Sequence, residues 1–176
     1  MNRRRGRGKL ACLTGCHDLS HGGTPINSAH LLIFALDGQR YALPLDKVAR
    51  VVRAAALTPL PQAPEIVSGI LDLQGEIIPV INLRKRFRLP EKAIGCDDQF
   101  VIARTPKLTV ALAVDGTQGV MELSGQAVVE PEAIVKGTGY LAGVTRNPDG
   151  LVLIHDLDTL LFPAEEELIS QELIKA

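Results

Sequence analysis

Tyr41-Ala42-Leu43-Pro44-Leu45-Asp46-Lys47-Val48-Ala49-Arg50-Val51-Val52 returns 69 residues later as Val110-Ala111-Leu112-Ala113-Val114-Asp115-Gly116-Thr117-Gln118-Gly119-Val120-Met121. Ala42/Ala111, Leu43/Leu112, Asp46/Asp115 and Val51/Val120 coincide. Further on, Ile78-Pro79-Val80-Ile81-Asn82-Leu83 is echoed by Val152-Leu153-Ile154-His155-Asp156-Leu157 at an offset of 74, and a glycine precedes each (Gly75, Gly150). The order of features repeats as well as the composition. Each half runs hairpin, irregular crossing, glycine turn, strand. Two copies of this length point to two small β-barrels, each too small to be comfortable alone.

Working outward, Leu31–Leu36 is an apolar run too short for an ordinary helix, and Asp37-Gly38 after it is the strongest short hairpin signal. Gln39–Leu45 reads as the return strand, and Val48, Val51 and Val52 continue a β-branched pattern. Pro59, Pro61 and Pro64 make 57–64 a surface crossing, and Pro79 implies an edge or a bulge in the strand at 77–83. Residues 84–88 are a basic cluster, and 90–98 a polar connection taken as the break between subdomains. Strands are expected at 100–103, 108–114 and 151–157. Residues 164–176, with Leu168, Ile169, Leu173 and Ile174 at helical spacing behind Glu165, Glu166 and Glu167, read as a short C-terminal helix laid on the body.

Composition limits the function classes. The 176 residues are 46% apolar and 3% aromatic, with no Trp, so the core is aliphatic. No apolar stretch reaches the roughly 18 to 20 residues that span a bilayer. Three cysteines (Cys12, Cys16, Cys96) make no complete disulfide framework, which favours a reducing, cytoplasmic setting. Five of the 19 basic residues fall in the first nine positions; the other 14 face 20 acidic ones, a balance of −6. Residues 1–29 read as a disordered basic leader, dispensable for folding. Three functional alternatives for this end are a lipobox ending at Cys16, a metal set of Cys12, Cys16, His17 and His21, and phosphate contacts by the Arg/Gly run.

Catalytic signals are missing. No phosphate-cradling loop is present, and Gly137-Thr138-Gly139 is an isolated pair. His155 lies in an apolar run and reads as a satisfied edge histidine. Asp115 precedes Gly116, which is turn chemistry, and the repeat gives Asp46 the same structural role. Cys96 stands beside Asp97 and Asp98, which raise rather than lower a thiol pKa. The expectation is a binding or scaffolding module with no catalytic residue, no metal and no cofactor.

Val67-Ser-Gly69-Ile-Leu-Asp72-Leu-Gln74-Gly75-Glu-Ile-Ile-Pro79-Val-Ile-Asn82-Leu83-Arg84-Lys-Arg-Phe87 resembles the CheW family. That family shows a Gly, an Asn-Leu-Arg-Gly step, Pro-Val/Ile-x-Asp-Leu-Arg and a basic-aromatic end. The resemblance covers about 31–161. It implies an all-β fold of two intertwined five-stranded SH3-like β-barrels, and a cytoplasmic adaptor coupling chemoreceptors to a CheA-type histidine kinase. By motif position it implies partner contacts at Val48, Arg50, Gly69, Gln74, Gly75 and Val120. The implied partners are the kinase's regulatory domain and the receptor's cytoplasmic tip, with no nucleic acid and no direct membrane insertion. The chain departs from the family at Arg50, where Glu is common, and at Gln74, where Arg is common. The alternative functions are a small-barrel nucleic-acid binder with a basic tail and a lipid-anchored adaptor.

Overall fold

A computed structural model describes residues 30–123, 128–129 and 140–175. The leader, with its lipobox, metal-set and phosphate-contact alternatives, lies outside the described residues, as does Gly137-Thr138-Gly139. Ten strands are arranged in two five-stranded sheets: β1 (His30–Leu36), β2 (Gln39–Pro44), β3 (Val48–Arg53), β4 (Val67–Leu73), β5 (Glu76–Asn82), β6 (Gln99–Arg104), β7 (Thr109–Val114), β8 (Gly116–Glu122), β9 (Leu141–Asn147) and β10 (Gly150–His155). Short helices follow the fifth strand of each repeat, α1 (Leu83–Phe87) and α2 (Leu157–Leu160), and α3 (Pro163–Lys175) ends the chain.

The sheets run β8-β1-β2-β10-β9 and β3-β6-β7-β5-β4. Repeat one is β1–β5 with α1, and repeat two is β6–β10 with α2. Replacing each strand by its repeat equivalent converts one sheet order into the other. Each sheet therefore takes two strands from one repeat and three from the other. The chain changes sheet between Pro44 and Val48 and between Val114 and Gly116, not in the 90–98 connection, which joins α1 to β6 within the span of the second sheet. Both sheets carry one parallel pair at equivalent places, β10 with β2 and β5 with β7.

Side-chain alternation gives each central strand two buried faces. Leu31, Ala42, Val152 and Ile154 fill the first barrel; Ile78, Val80, Phe100, Ile102 and Ala111 fill the second. Their intervening neighbours Leu32, Phe34, Tyr41, Leu43, Ile81, Val101, Ala103, Val110 and Leu112 form one shared core between the barrels. Within it Phe34, Tyr41, Phe87, His155 and Tyr140 make a chain of ring contacts with centroids 4.6 to 5.7 Å apart. Helix α3 caps this core through Ile169 and Leu173. Leu168 and Ile174, expected on the same face, are 48% and 86% exposed. Its acidic first turn makes specific bonds: Glu165 accepts from the Phe162 N–H at 2.9 Å and pairs with Arg86, and Glu166 pairs with Lys107 at 2.9 Å.

Pro79 is on an inner strand rather than an edge. It is tolerated because the pairing of β5 with β7 begins at Val80, so at Pro79 the strand is bonded only to β4. His155 is not an edge residue either. It is 3% exposed on β10, which lies between β2 and β9; its Nδ1 bonds the Tyr140 carbonyl at 2.9 Å, and its Nε2 has no partner among the described residues. Burial pushes its pKa down to about 4, against the weaker opposing pull of the Tyr140 carbonyl.

The second crossover is held by charge. Arg84, 8% exposed, donates to Asp115 Oδ2 at 2.8 Å and to Asp37 Oδ1 at 3.0 Å. Asp115 also accepts from the Asp37 N–H at 2.8 Å and from Lys92 at 3.2 Å. Desolvation raises the Asp115 pKa, but Arg84, the Asp37 N–H and Lys92 outweigh it and hold the carboxyl below its ordinary value. Asp115 is thus an anchor rather than merely a turn former. Asp46 is exposed and does not share that role. At the other crossover its neighbour Lys47 pairs with Asp158 at 2.7 Å, and Asp158 is the repeat equivalent of Arg84. The same tie recurs with its charges reversed.

Arg84→Met leaves Asp37 and Asp115 facing each other in a partly buried site, and is expected to destabilise by about 2 to 4 kcal/mol. Lys47→Met removes a half-exposed pair and is expected to cost less than about 1 kcal/mol. Urea midpoints compare the two, and equal losses would refute the ranking. For His155 the unfolded pKa is near 6.5 and the folded one about 4. Its neutral form stabilises the fold fully above pH 6.5, and this is lost as pH falls toward 4, by up to about 3 kcal/mol. His155→Phe should flatten that part of the stability–pH curve; an unchanged slope would show that His155 is not its source.

Candidate interaction surfaces

The β4–β5 connection is a two-residue turn with both residues left-handed, Gln74 at φ 62° and Gly75 at φ 87°. This twist joins adjacent antiparallel strands without splaying them. Asp72 Oδ1 accepts from the Gly75 N–H at 2.8 Å and locks the turn. Gln74 takes the rarer option of a side chain at positive φ, and its amide oxygen accepts from Arg50 Nη1 at 3.2 Å. Strands β3 and β4 are the two ends of the second sheet, so this bond joins those ends across the barrel seam. The two positions at which the chain departs from the family pattern therefore touch.

Gly69 has a separate structural reason. A Cβ there would lie 2.7 Å from the Thr58 carbonyl oxygen, at φ 147°. Thr58 and Ile70 exchange two backbone bonds at 3.0 and 2.8 Å, laying the crossing segment on β4. The Val129–Val144 bridge is its counterpart in the first barrel. Val48 is half-buried against the shared core. Val120 stands on β8, in the other sheet, and is 53% exposed.

Exposed aliphatics reveal a pattern that the motif alone did not. Val51 and Val120 are both exposed, as are Ile77 and Leu151. The first pair is related by the 69-residue offset and the second by the 74-residue one. Each barrel presents one aliphatic residue on the strand received from the other repeat and one just after the glycine turn. Of the expected contact residues, Arg50, Gln74 and Gly75 are together at one end of the second barrel. Gly69 and Val48 are buried or half-buried in that barrel's strands, and Val120 belongs to the equivalent place on the first.

The charged cleft beside Asp115 offers no comparable site. It is lined by Leu36, Asn82, Ile94 and the paired groups Arg84, Lys92, Asp98 and Asp115. Arg84 and Lys92 are each bonded to two carboxylates. Among the described residues no His/Cys/Asp/Glu group could hold a metal ion, and no helix is long and apolar enough to cross a membrane.

Two exchanged barrels, with exposed aliphatics at equivalent positions, define a duplicated β-barrel protein. Residues 30–164 match the CheW-like domain, and the chain belongs to that family. It is 31% identical over 141 residues to the chemotaxis protein CheW of Treponema pallidum, covering 77% of this chain and 83% of that protein. It is 27% identical over 135 residues to the CheW of Thermotoga maritima, covering 74% and 86%. The crystal structure of the scaffolding protein TtCheW from Thermoanaerobacter tengcongensis superposes with a TM-score of 0.70 at 27% identity, covering 78% of this chain and 95% of that one.

Gly69→Ala should destabilise strongly, by about 2 kcal/mol or more, because its Cβ meets backbone. Gly75→Asn should cost well under that, since the space is open and Asn tolerates positive φ. Thermal melts of the two variants test this, and a Gly75→Asn loss as large as that of Gly69→Ala would overturn the distinction.

Proposed function

We propose that this chain is a non-catalytic adaptor that couples chemoreceptors to a CheA-type histidine kinase. The observation that carries it is the match of residues 30–164 to the CheW-like domain, and the exposed aliphatics that recur at equivalent positions on both barrels are candidate contact points. A scaffold needs at least two places to dock, and a duplicated barrel offers equivalent positions on both halves. In this reading the kinase's regulatory domain and the cytoplasmic tip of the receptor are the partners. Val48, Arg50, Gly69, Gln74, Gly75 and Val120 contribute to or shape the contacts, Gly69 through backbone geometry. Neither the family match nor the relatives support a nucleic-acid binder or a lipid-anchored form.

Arg50 and Gln74 set which partner fits. Where a family member carries an acid and a base, this chain carries a base and a neutral amide. A partner built for the usual pattern meets Arg50 with a basic group, and like charges across an interface can cost several kcal/mol. The double variant Arg50→Glu/Gln74→Arg keeps a bonded pair between the sheet ends, so the fold is retained. It should bind the cognate kinase or receptor about tenfold to a hundredfold more weakly and one from another array more tightly, at ~1.4 kcal/mol per decade. Titration of both proteins with partners from two arrays decides it. Unchanged affinities for all of them would remove these residues from specificity.

A further inference from the structure

Asp-Gly occurs three times in the chain, at Asp37-Gly38, Asp115-Gly116 and Asp149-Gly150. The step has a chemistry of its own. Glycine has no side chain to shield its backbone nitrogen, so that nitrogen can attack the preceding carboxyl carbon and close a five-membered imide. The rate depends on what holds the carboxyl and on what activates the amide. The three steps differ on both counts.

At the first two, the cation is on the carboxyl. Arg84 bonds Asp37 Oδ1 at 3.0 Å and the two oxygens of Asp115 at 2.9 and 2.8 Å. Asp115 also accepts from the Asp37 N–H and from Lys92. A carboxylate clasped in this way is a poor electrophile and is not free to turn toward the next nitrogen. At Asp149 the arrangement is inverted. Its side chain is 67% exposed, against 42% for Asp37 and 26% for Asp115, and its Oδ2 is 3.8 Å from Arg40 Nη2, beyond hydrogen-bond length. Arg40 Nη1 instead donates to the Asp149 carbonyl, the oxygen of the amide whose nitrogen belongs to Gly150. Arg40 reaches that oxygen from β2, the middle strand of the first sheet, and its Nε donates to Gln118 Oε1 on β8 at 2.8 Å, which orients the planar fork. A guanidinium on the amide oxygen stabilises the amidate, the form of the nitrogen that attacks. Gly150 is at φ 133°, a conformation that favours glycine, so the turn keeps its unshielded nitrogen.

We propose that Asp149-Gly150 is a self-modification site at which Arg40 promotes conversion of Asp149 to isoaspartate. The Gly150 nitrogen bonds to Asp149 Cγ, and one Cγ–O bond breaks. That oxygen leaves as water, with the carboxyl proton and the amide proton. Water then adds back at either imide carbonyl. Opening at Cγ restores aspartate. Opening at the former backbone carbonyl leaves the main chain running through Cβ and Cγ, with a free α-carboxylate. The net change is an isomerisation that needs no reactant but water. It lengthens the β9–β10 turn by one methylene and turns the carbonyl that Arg40 holds into a carboxylate. That α-carboxylate is the group an S-adenosylmethionine-dependent isoaspartyl methyltransferase recognises. The proposal does not depend on the adaptor reading.

The test incubates the folded, full-length chain in heavy-oxygen water near neutral pH and weighs its peptides by mass spectrometry, since each imide cycle inserts one solvent oxygen. Label should build up at Asp149 about tenfold faster than at Asp37 or Asp115, the worth of one charge-assisted hydrogen bond to the attacking amide. The aged chain should accept methyl groups from S-adenosylmethionine and an isoaspartyl methyltransferase at Asp149. Arg40→Met should slow labelling at Asp149 about as much, and Arg40→Lys less. In urea the three steps should label alike, because only the fold distinguishes them. An Arg40→Met chain that fails to fold is recognised by all three steps reaching their urea rates, and Arg40→Lys together with the wild-type comparison then decides. Equal labelling of the three steps in the folded wild type, or an Asp149 rate that a folded Arg40 variant leaves unchanged or raises, would overturn the proposal.

Discussion

Neither repeat can close a barrel from its own strands, because its third strand, with everything after it, crosses to the other sheet. Strands β1 and β2 are completed by β8, β9 and β10, and strands β6 and β7 by β3, β4 and β5. Separating the barrels would therefore strip each of its strand partners as well as its shared apolar face. The shared core follows from this exchange. Strands buried on both sides contribute alternate residues to their own barrel and to the joint, and the joint gathers Phe34, Tyr41, Phe87 and Tyr140, four of the six aromatic residues of the whole chain.

The crossovers are where such a fold is open to error, since a slipped strand would pair in the wrong sheet. Charge and register meet there. Asp115 holds Arg84 and Lys92 and accepts from the backbone of the β1–β2 turn, while its own N–H donates to Ala35 of β1. That joins the end of one sheet to the start of the other. Lys47 and Asp158 make the lighter, more solvated tie at the equivalent place. Two ion pairs of opposite polarity, related by the repeat, show a duplicated plan kept while its chemistry was rewritten.

The exposed faces depend on the same plan. An edge strand received from the other repeat leaves its outward valine uncovered in both barrels, and the first residue pair after each glycine turn leaves an aliphatic beside the rim. What differs between barrels is how the seam is tied: one arginine reaching directly to the opposite turn, or one spanning both ends from the middle strand.

The repeat, the hairpin at Asp37-Gly38, the glycine turn at Gly75, the aliphatic core and the C-terminal helix were legible in the residues, because periodicity, turn chemistry and helical spacing are local. The family motif located Arg50 and Gln74 without showing that they touch. Val51, Ile77 and Leu151 look like any strand aliphatic until burial separates them from Ile78 and Val152. Arg40, Asp115 and His155 escaped for a common reason. Their partners lie 78, 31 and 15 residues away, at Gln118, Arg84 and Tyr140. The chain alone marks seven of the ten strands and shows that the plan is repeated; β4, β8 and β9 carried no strand signal of their own. Only the folded topology decides which repeat completes which barrel and which side chains meet across the seams, because those choices turn on the burial of both sheet faces at once.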